Sequence, residues 1–198
     1  MTQYPTRVSP VDLDGLSGRQ EAVRIKMGPY GESGTSTMMK TFLNYPEFAR
    51  SIGRIGTRVT LTSDLPPRLA GLASLRTAWL CDSEYLWSQH RKASLKLGVT
   101  DEGLFGVAEG PESSRLESFD RVVVSTVDDM YYRNRISDEN WKQFDQFGPE
   151  GVTDLILVYG LYVLQSCVAR NFGTTLEEGS VGYLPELDRF RDRQQRTL

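Results

Sequence analysis

One histidine and two cysteines are all that this 198-residue chain offers in the way of imidazole and thiol. Two distant thiols, Cys81 and Cys167, make no disulfide framework, and one histidine beside them makes a zinc site a poor expectation. There is no excess of basic charge. Lys and Arg number 23 against 26 acids, a net charge of -3, which argues against bulk nucleic-acid binding. No long apolar run is present either. Leu155–Leu164 is the longest, short for a bilayer span, so no membrane partner is expected. The first residues carry no apolar stretch of the secretory type. With so few cysteines, a reducing cytoplasm is the expected location. No stretch alternates convincingly with a period of two, and no repeat is visible.

What remains is an ordinary globular composition, 39% hydrophobic and 25% charged, with helical periodicity. Pro5, Pro10, Pro29 and the Gly28–Ser36 segment make residues 1–35 irregular, with a short helix near Leu16–Lys26. Thr37–Asn44 reads as a helix, and Pro46 opens another that runs to about Thr60. A strong start at Ser63–Pro67 leads into a helix that bends near Asp82, resumes at Glu84 and ends at Gly98. Thr100 caps a short helix. Phe119–Tyr131 carries an apolar stripe, although Arg121–Val127 taken alone would pass for a strand. Ser137 starts a helix over Trp141–Phe147, and Gly148–Pro149 breaks it. Val152–Phe172 is apolar nearly all round, which predicts burial at the centre or at a subunit interface. The Arg- and Gln-rich tail, Arg189–Arg196, is expected to fray. The class is all-α, with about seven or eight helices. Residues 36–180 form the helical domain and 181–198 a C-terminal tail.

Chemistry concentrates in Arg76–His90. Imidazole is the side chain whose ordinary pKa lies near neutrality, so His90 is the candidate proton-transfer group. The alternative is a packing histidine on a helix. On an unbroken helix Arg76, Ser83 and His90 are seven apart and share a face, with Trp87 beside them. Arg76 would clamp a carboxylate, or bridge to a neighbouring helix. Tyr85 and Trp87 would wall a ring, or pack in the core. Glu84 would tune or orient His90, or act as an ion-pair partner.

Three stretches carry a family likeness. They are Leu65–His90, Leu97–Leu104, and the pair Arg135–Trp141 and Asp154–Tyr162 together with Asn171–Glu177. On these the chain resembles the carboxymuconolactone decarboxylase family, which includes the alkyl hydroperoxidase D-like proteins, over roughly Pro46 to Glu178. The resemblance implies an all-helical single domain that assembles as a homotrimer or hexamer. The peroxidase branch has a Cys-x-x-Cys pair before the histidine and a glutamate upstream. The matching positions here are Ser83, Leu86 and Gly71, so a dithiol cycle is not expected. The decarboxylase branch keeps the histidine and needs no cofactor. The resemblance thus implies a cofactor-free lyase or isomerase acting on a small cyclic carboxylated or enolisable metabolite, with secondary metabolism the expected setting. His90 and Glu84 would be catalytic. Arg76, Ser83, Tyr85, Trp87 and Tyr162 would bind substrate. Arg170 stands where an asparagine is common and adds either to anion recognition or to a surface ion pair. The rivals are a non-catalytic small-molecule binder or scaffold on the same fold, and a single-thiol oxidoreductase using Cys81.

Overall fold

The computed structural model describes residues 4–26, 35–188, 190 and 191. The tail expected to fray lies outside the described residues, apart from Phe190 and Arg191. So does most of Gly28–Ser36. Among the described residues there are nine α-helices and no strand. They are α1 (Gly18–Lys26), α2 (Thr37–Phe42), α3 (Pro46–Leu61), α4 (Pro67–Leu80), α5 (Glu84–Lys96), α6 (Asp101–Glu109), α7 (Ser118–Arg133), α8 (Asp138–Gln143) and α9 (Gly148–Phe172).

Most boundaries follow from local chemistry. Pro46 and Pro67 sit in the first turns of α3 and α4, where a missing N–H leaves no bond unmade. The Thr100 and Ser137 hydroxyls accept from the backbone N–H of Gly103 and Asn140 and so cap α6 and α8. Gly173 ends α9 at φ 67, in the left-handed region. The residues that looked strand-like, Arg121–Val127, lie inside α7, with Val123, Val124 and Val127 buried on one side. Gly148–Pro149 begins α9 rather than merely breaking its predecessor, because proline in a first turn is a start signal.

Helix α4 is the axis of the fold. Every residue from Leu69 to Leu80 is buried, and α5, α7 and α9 all pack against it. By length and hydropathy alone α9 would pass for a bilayer span. In the fold it lies against α3, α4 and α5, with Val152, Leu155, Val158 and Leu161 in the core. Its other side shows Ile156 and Leu164 to solvent.

Between α4 and α5 the chain turns in three residues. Asp82 adopts φ 49, a left-handed conformation seldom taken by a residue other than glycine. This corner, rather than a mild bend, decides which way each residue of the Arg76–His90 segment faces.

Candidate functional site

Five helices line a cavity of about 650 Å³, with Met38 and Met39 coming from α2. From α5 and its C-cap come Leu86, Gln89, His90, Ala93, Ser94 and Leu97, which follow the helical period. From α4 come Ala70, Gly71 and Ser74; from α9, Val158, Leu161, Tyr162 and Gln165; from α3, Ile52, Gly53, Gly56 and Val59. The hollow exists because these stripes are rich in small residues. A methyl group added at Gly56 would meet nothing within 4 Å. The size suits a small organic molecule.

His90 lines this cavity. Its Nδ1 lies 3.2 Å from the Tyr162 hydroxyl, and the two rings meet edge to face with centroids 4.5 Å apart. The residue as a whole is half-buried, and burial alone depresses its pKa from 6.5 to about 4. It is a neutral imidazole at physiological pH.

Above His90 a carboxylate holds the wall together. Glu177 accepts from the Tyr85 hydroxyl at 2.7 Å, from the Thr37 N–H at 2.8 Å, and from the Gln89 side chain. The Tyr85 oxygen in turn accepts from the Met38 N–H at 3.1 Å. Burial pushes the Glu177 pKa up, but the hydrogen bonds from Tyr85 and Thr37 outweigh it and the net shift is downward. Burial, and then the bond to Glu177, push the Tyr85 phenol up. Tyr85 is therefore a fixed neutral donor that ties α5 to the segment after α9.

The remaining residues expected at the site are elsewhere. Arg76 is 5% exposed and fully engaged. It forks onto Asp128 at 2.6 and 2.8 Å and donates to the Val107 and Ala108 carbonyls at 2.7 and 3.3 Å. The turn at Asp82 sends α4 residues toward α6 and α7, so the seven-residue spacing that aligned Arg76 with His90 does not hold. Trp87 is fully buried and stacks at an angle on Trp79, with ring centroids 5.3 Å apart. It packs in the core rather than walling the cavity. Glu84 accepts from the Tyr183 N–H at 3.2 Å and lines a different hollow, as does Ser83. Among the described residues no carboxylate contributes to the shift at His90, whose cause is burial. Tyr85 and Tyr162 do line the His90 cavity.

Three contributors went unread in the sequence: Gln89, Ser94 and Glu177. Ser94 lies one turn beyond His90 and is 1% exposed, and its hydroxyl has no partner among the described residues. The i, i+4 spacing from His90 was the available signal. Nothing local pointed to Glu177.

The thiols lie outside the cavity lining. Cys81 is half-buried, and burial pushes its pKa up to about 11. Cys167 is exposed on α9.

No protein-family model and no curated protein matches the sequence. Solved structures do match the fold. The debrominase Bmp8 is similar at TM-score 0.69 and 12% identity, over 96% of this chain and 98% of that one. It is seen both free and, with a cysteine replaced by alanine, in complex with 2,3,4-tribromopyrrole. An uncharacterized peroxidase-related protein from Silicibacter sp. TM1040 is similar at TM-score 0.71 and 14% identity, over 90% of this chain and 96% of that one. The architecture is thus the all-helical alkyl hydroperoxidase D-like fold. Identities this low speak to fold and not to reaction.

Proposed function

We propose that this chain is a cofactor-free enzyme that moves a proton on a small, largely uncharged, enolisable ring compound, with His90 as the base. The carrying observation is a neutral imidazole, held by Tyr162, on the wall of a molecule-sized cavity. In the reaction His90 would take a proton from a carbon next to a carbonyl, the C–H electron pair entering the enolate. The imidazolium exchanges its proton with solvent, and a proton from it is then delivered to that carbon or to its vinylogous position. The imidazolium so formed sits beside the new negative charge, which offsets the desolvation that holds its pKa down.

This reading narrows the one implied by the family likeness. Among the described lining residues Lys92, which is exposed, is the cation, and no arginine stands ready to anchor a carboxylate about to leave as CO2. Isomerisation is therefore favoured over decarboxylation. Bmp8 holds a small heteroaromatic ring, which supports a ring-shaped ligand here. No cysteine is among the described residues that line this cavity, so a thiol route is not carried over. Assembly into a trimer or hexamer belongs to the same proposal. Ile156 and Leu164 are the apolar surface it would cover, and sedimentation velocity reads it.

The test is deuterium uptake from D2O into a panel of cyclic ketones and β,γ-unsaturated lactones, followed by mass spectrometry. Wild type should exceed buffer, and His90→Gln should be slower by roughly 10²–10⁴-fold. Equal rates for the two proteins, or no uptake above buffer across the panel, refute the proposal. A binder without turnover is the second reading, favoured by the absence, among the described residues, of a carboxylate orienting His90. It predicts a ligand that binds wild type and His90→Gln alike, with no exchange.

A further inference from the structure

Most hydrogen-bonding groups on the wall of the His90 cavity are already spent. The Tyr85 hydroxyl and the Gln89 amide donate to Glu177. His90 meets Tyr162. The Ser74 and Thr60 hydroxyls donate to carbonyls one turn back in their own helices. Ser94 Oγ is sealed from any guest. Lys92 and Glu178 are exposed, so their charges stay in water.

Gln165 is different. It lines the same cavity from α9 and is half-buried, and its amide bonds to nothing among the described residues. Its amide atoms are not among the sealed polar atoms, so a guest can touch them.

Its place follows from how the helices pair. Tyr162 reaches His90, and two turns further along α9 Arg170 reaches the Cys81 carbonyl. Helix α9 therefore runs antiparallel to α5, and Gln165 falls between these two contacts. It shares the cavity stripe with Tyr162, one turn away, and such residues have Cβ atoms about 5–6 Å apart. Cα–Cβ bonds tilt toward a helix's N-terminus, so Gln165 leans back toward Tyr162. A ring lying against His90 thus has this amide within reach of its polar edge.

A carboxamide offers a donor and an acceptor side by side. Its neutral complement is another amide with N–H and C=O on the same edge, as a small lactam presents them. Two parallel hydrogen bonds then form at once. A ketone or lactone uses only the donor and leaves the Gln165 oxygen unmet. A carboxylate would set its charge against that oxygen.

We infer that Gln165 is a specificity-determining residue: its carboxamide pairs with the adjacent N–H and C=O of a cyclic amide, which makes a lactam the preferred guest of the cavity. This rests on the reading of the cavity as the substrate site of His90 and narrows it. The carbonyl that takes the Gln165 N–H is the one whose neighbouring carbon faces the imidazole.

The test uses the full chain with butyrolactam and valerolactam, beside their N-methyl forms and the matching lactones. Binding is titrated by calorimetry. In wild type it is also followed by the Cε1–H resonance of His90, the sole imidazole, which reports occupation of this cavity. Wild type should bind each N–H lactam roughly three- to tenfold more tightly than its N-methyl form or lactone, the effect of one hydrogen bond. Gln165→Met, similar in length but without the amide, should bind all three alike, and Gln165→Leu repeats the deletion. His90→Gln should keep the preference. The inference is overturned by no binding or no preference in wild type, by a preference that survives in both Gln165 variants, or by lactam binding that leaves the His90 resonance unmoved. A Gln165 that serves only to meet solvent gives the result without preference. The exchange assay judges His90 separately. Equal exchange in wild type and His90→Gln removes the base, while the binding preference still decides the role of Gln165.

Discussion

Because His90 is the only imidazole in the chain, its titration can be read without assignment. In tag-free protein the Cε1–H resonance should shift with a midpoint near 4, where burial places it, rather than at 6.5. The same shift has a consequence for stability. Above pH 6.5 the ring is neutral in both folded and unfolded chains, and it contributes no pH dependence. Between 6.5 and about 4 only the unfolded chain takes up the proton. Stability therefore falls as the pH drops through that window, by roughly 3 kcal/mol at its lower end. The residue as a whole is only half-buried, which trims this toward about 2 kcal/mol. Carboxylates also titrate at the acid end, so the useful quantity is the difference between wild type and His90→Gln. Urea unfolding at half-unit steps from pH 7 to 4 should show wild type losing that much more than the variant. A tight enolate mimic should raise the midpoint, since an anion beside the ring favours imidazolium. A resonance titrating near 6.5, or parallel pH profiles for the two proteins, would show that the ring is not desolvated and would remove the basis for its role as a neutral base.

Other residues give independent checks. Arg76→Ala should cost about 3–5 kcal/mol in urea unfolding, because it strands the Asp128 carboxylate and two carbonyls. Cavity ligands should bind the variant as they bind wild type; a selective loss of ligand affinity would return Arg76 to the site. Gly173→Ala should destabilise by more than about 1 kcal/mol, since the residue sits at φ 67 and an added Cβ would overlap the Pro5 carbonyl. An unchanged melting temperature would contradict that packing. Cys81, with its pKa pushed up to about 11, should alkylate at pH 7 far more slowly than exposed Cys167. Peptide mapping after brief iodoacetamide treatment decides it, and faster labelling of Cys81 would revive a thiol role.

Much of the fold was readable because it is punctuated. Pro46, Pro67, Thr100, Ser137 and Gly173 each mark a helix end by a mechanism that needs no tertiary partner. The histidine and its cavity neighbour Tyr162 were also within reach. The direction of the remaining side chains was not. Neither glycine nor proline occurs in Cys81–Ser83, so nothing local announces a reversal there. Asp82 holds a left-handed conformation with tertiary help, its carboxylate bound by two arginines from the far end of the chain. A face computed for a straight helix therefore put Arg76 with His90, which the turn separates. Small residues such as Gly53, Gly56 and Gly71 were equally ambiguous. The same spacing serves close helix packing or an open hollow, and only the neighbouring helices decide between them.

The same corner explains why one short segment serves two hollows. Ser83 and Glu84, still at the turn, face the arginine pair, while Leu86, His90 and Ser94 run down the other side of α5. Tyr85 stands between them and lines both. Its hydroxyl joins the Met38 N–H to the Glu177 carboxylate. Tyr85→Phe keeps the ring and deletes only that junction. A buried N–H then loses its acceptor and a carboxylate loses a donor, so the variant should be less stable by about 1–3 kcal/mol in urea. Glu177 keeps Thr37 and Gln89 as donors, so its pKa should rise only part of the way back. Carbonyl-labelled glutamate spectra can follow this. If the hydroxyl is the strut between α5, α2 and the segment after α9, hydrogen exchange should quicken at Met38 and around Glu177 and stay unchanged in α7. Exchange that quickens evenly across the protein would mean that Tyr85 supports the fold as a whole and does not specifically brace the wall between the two hollows.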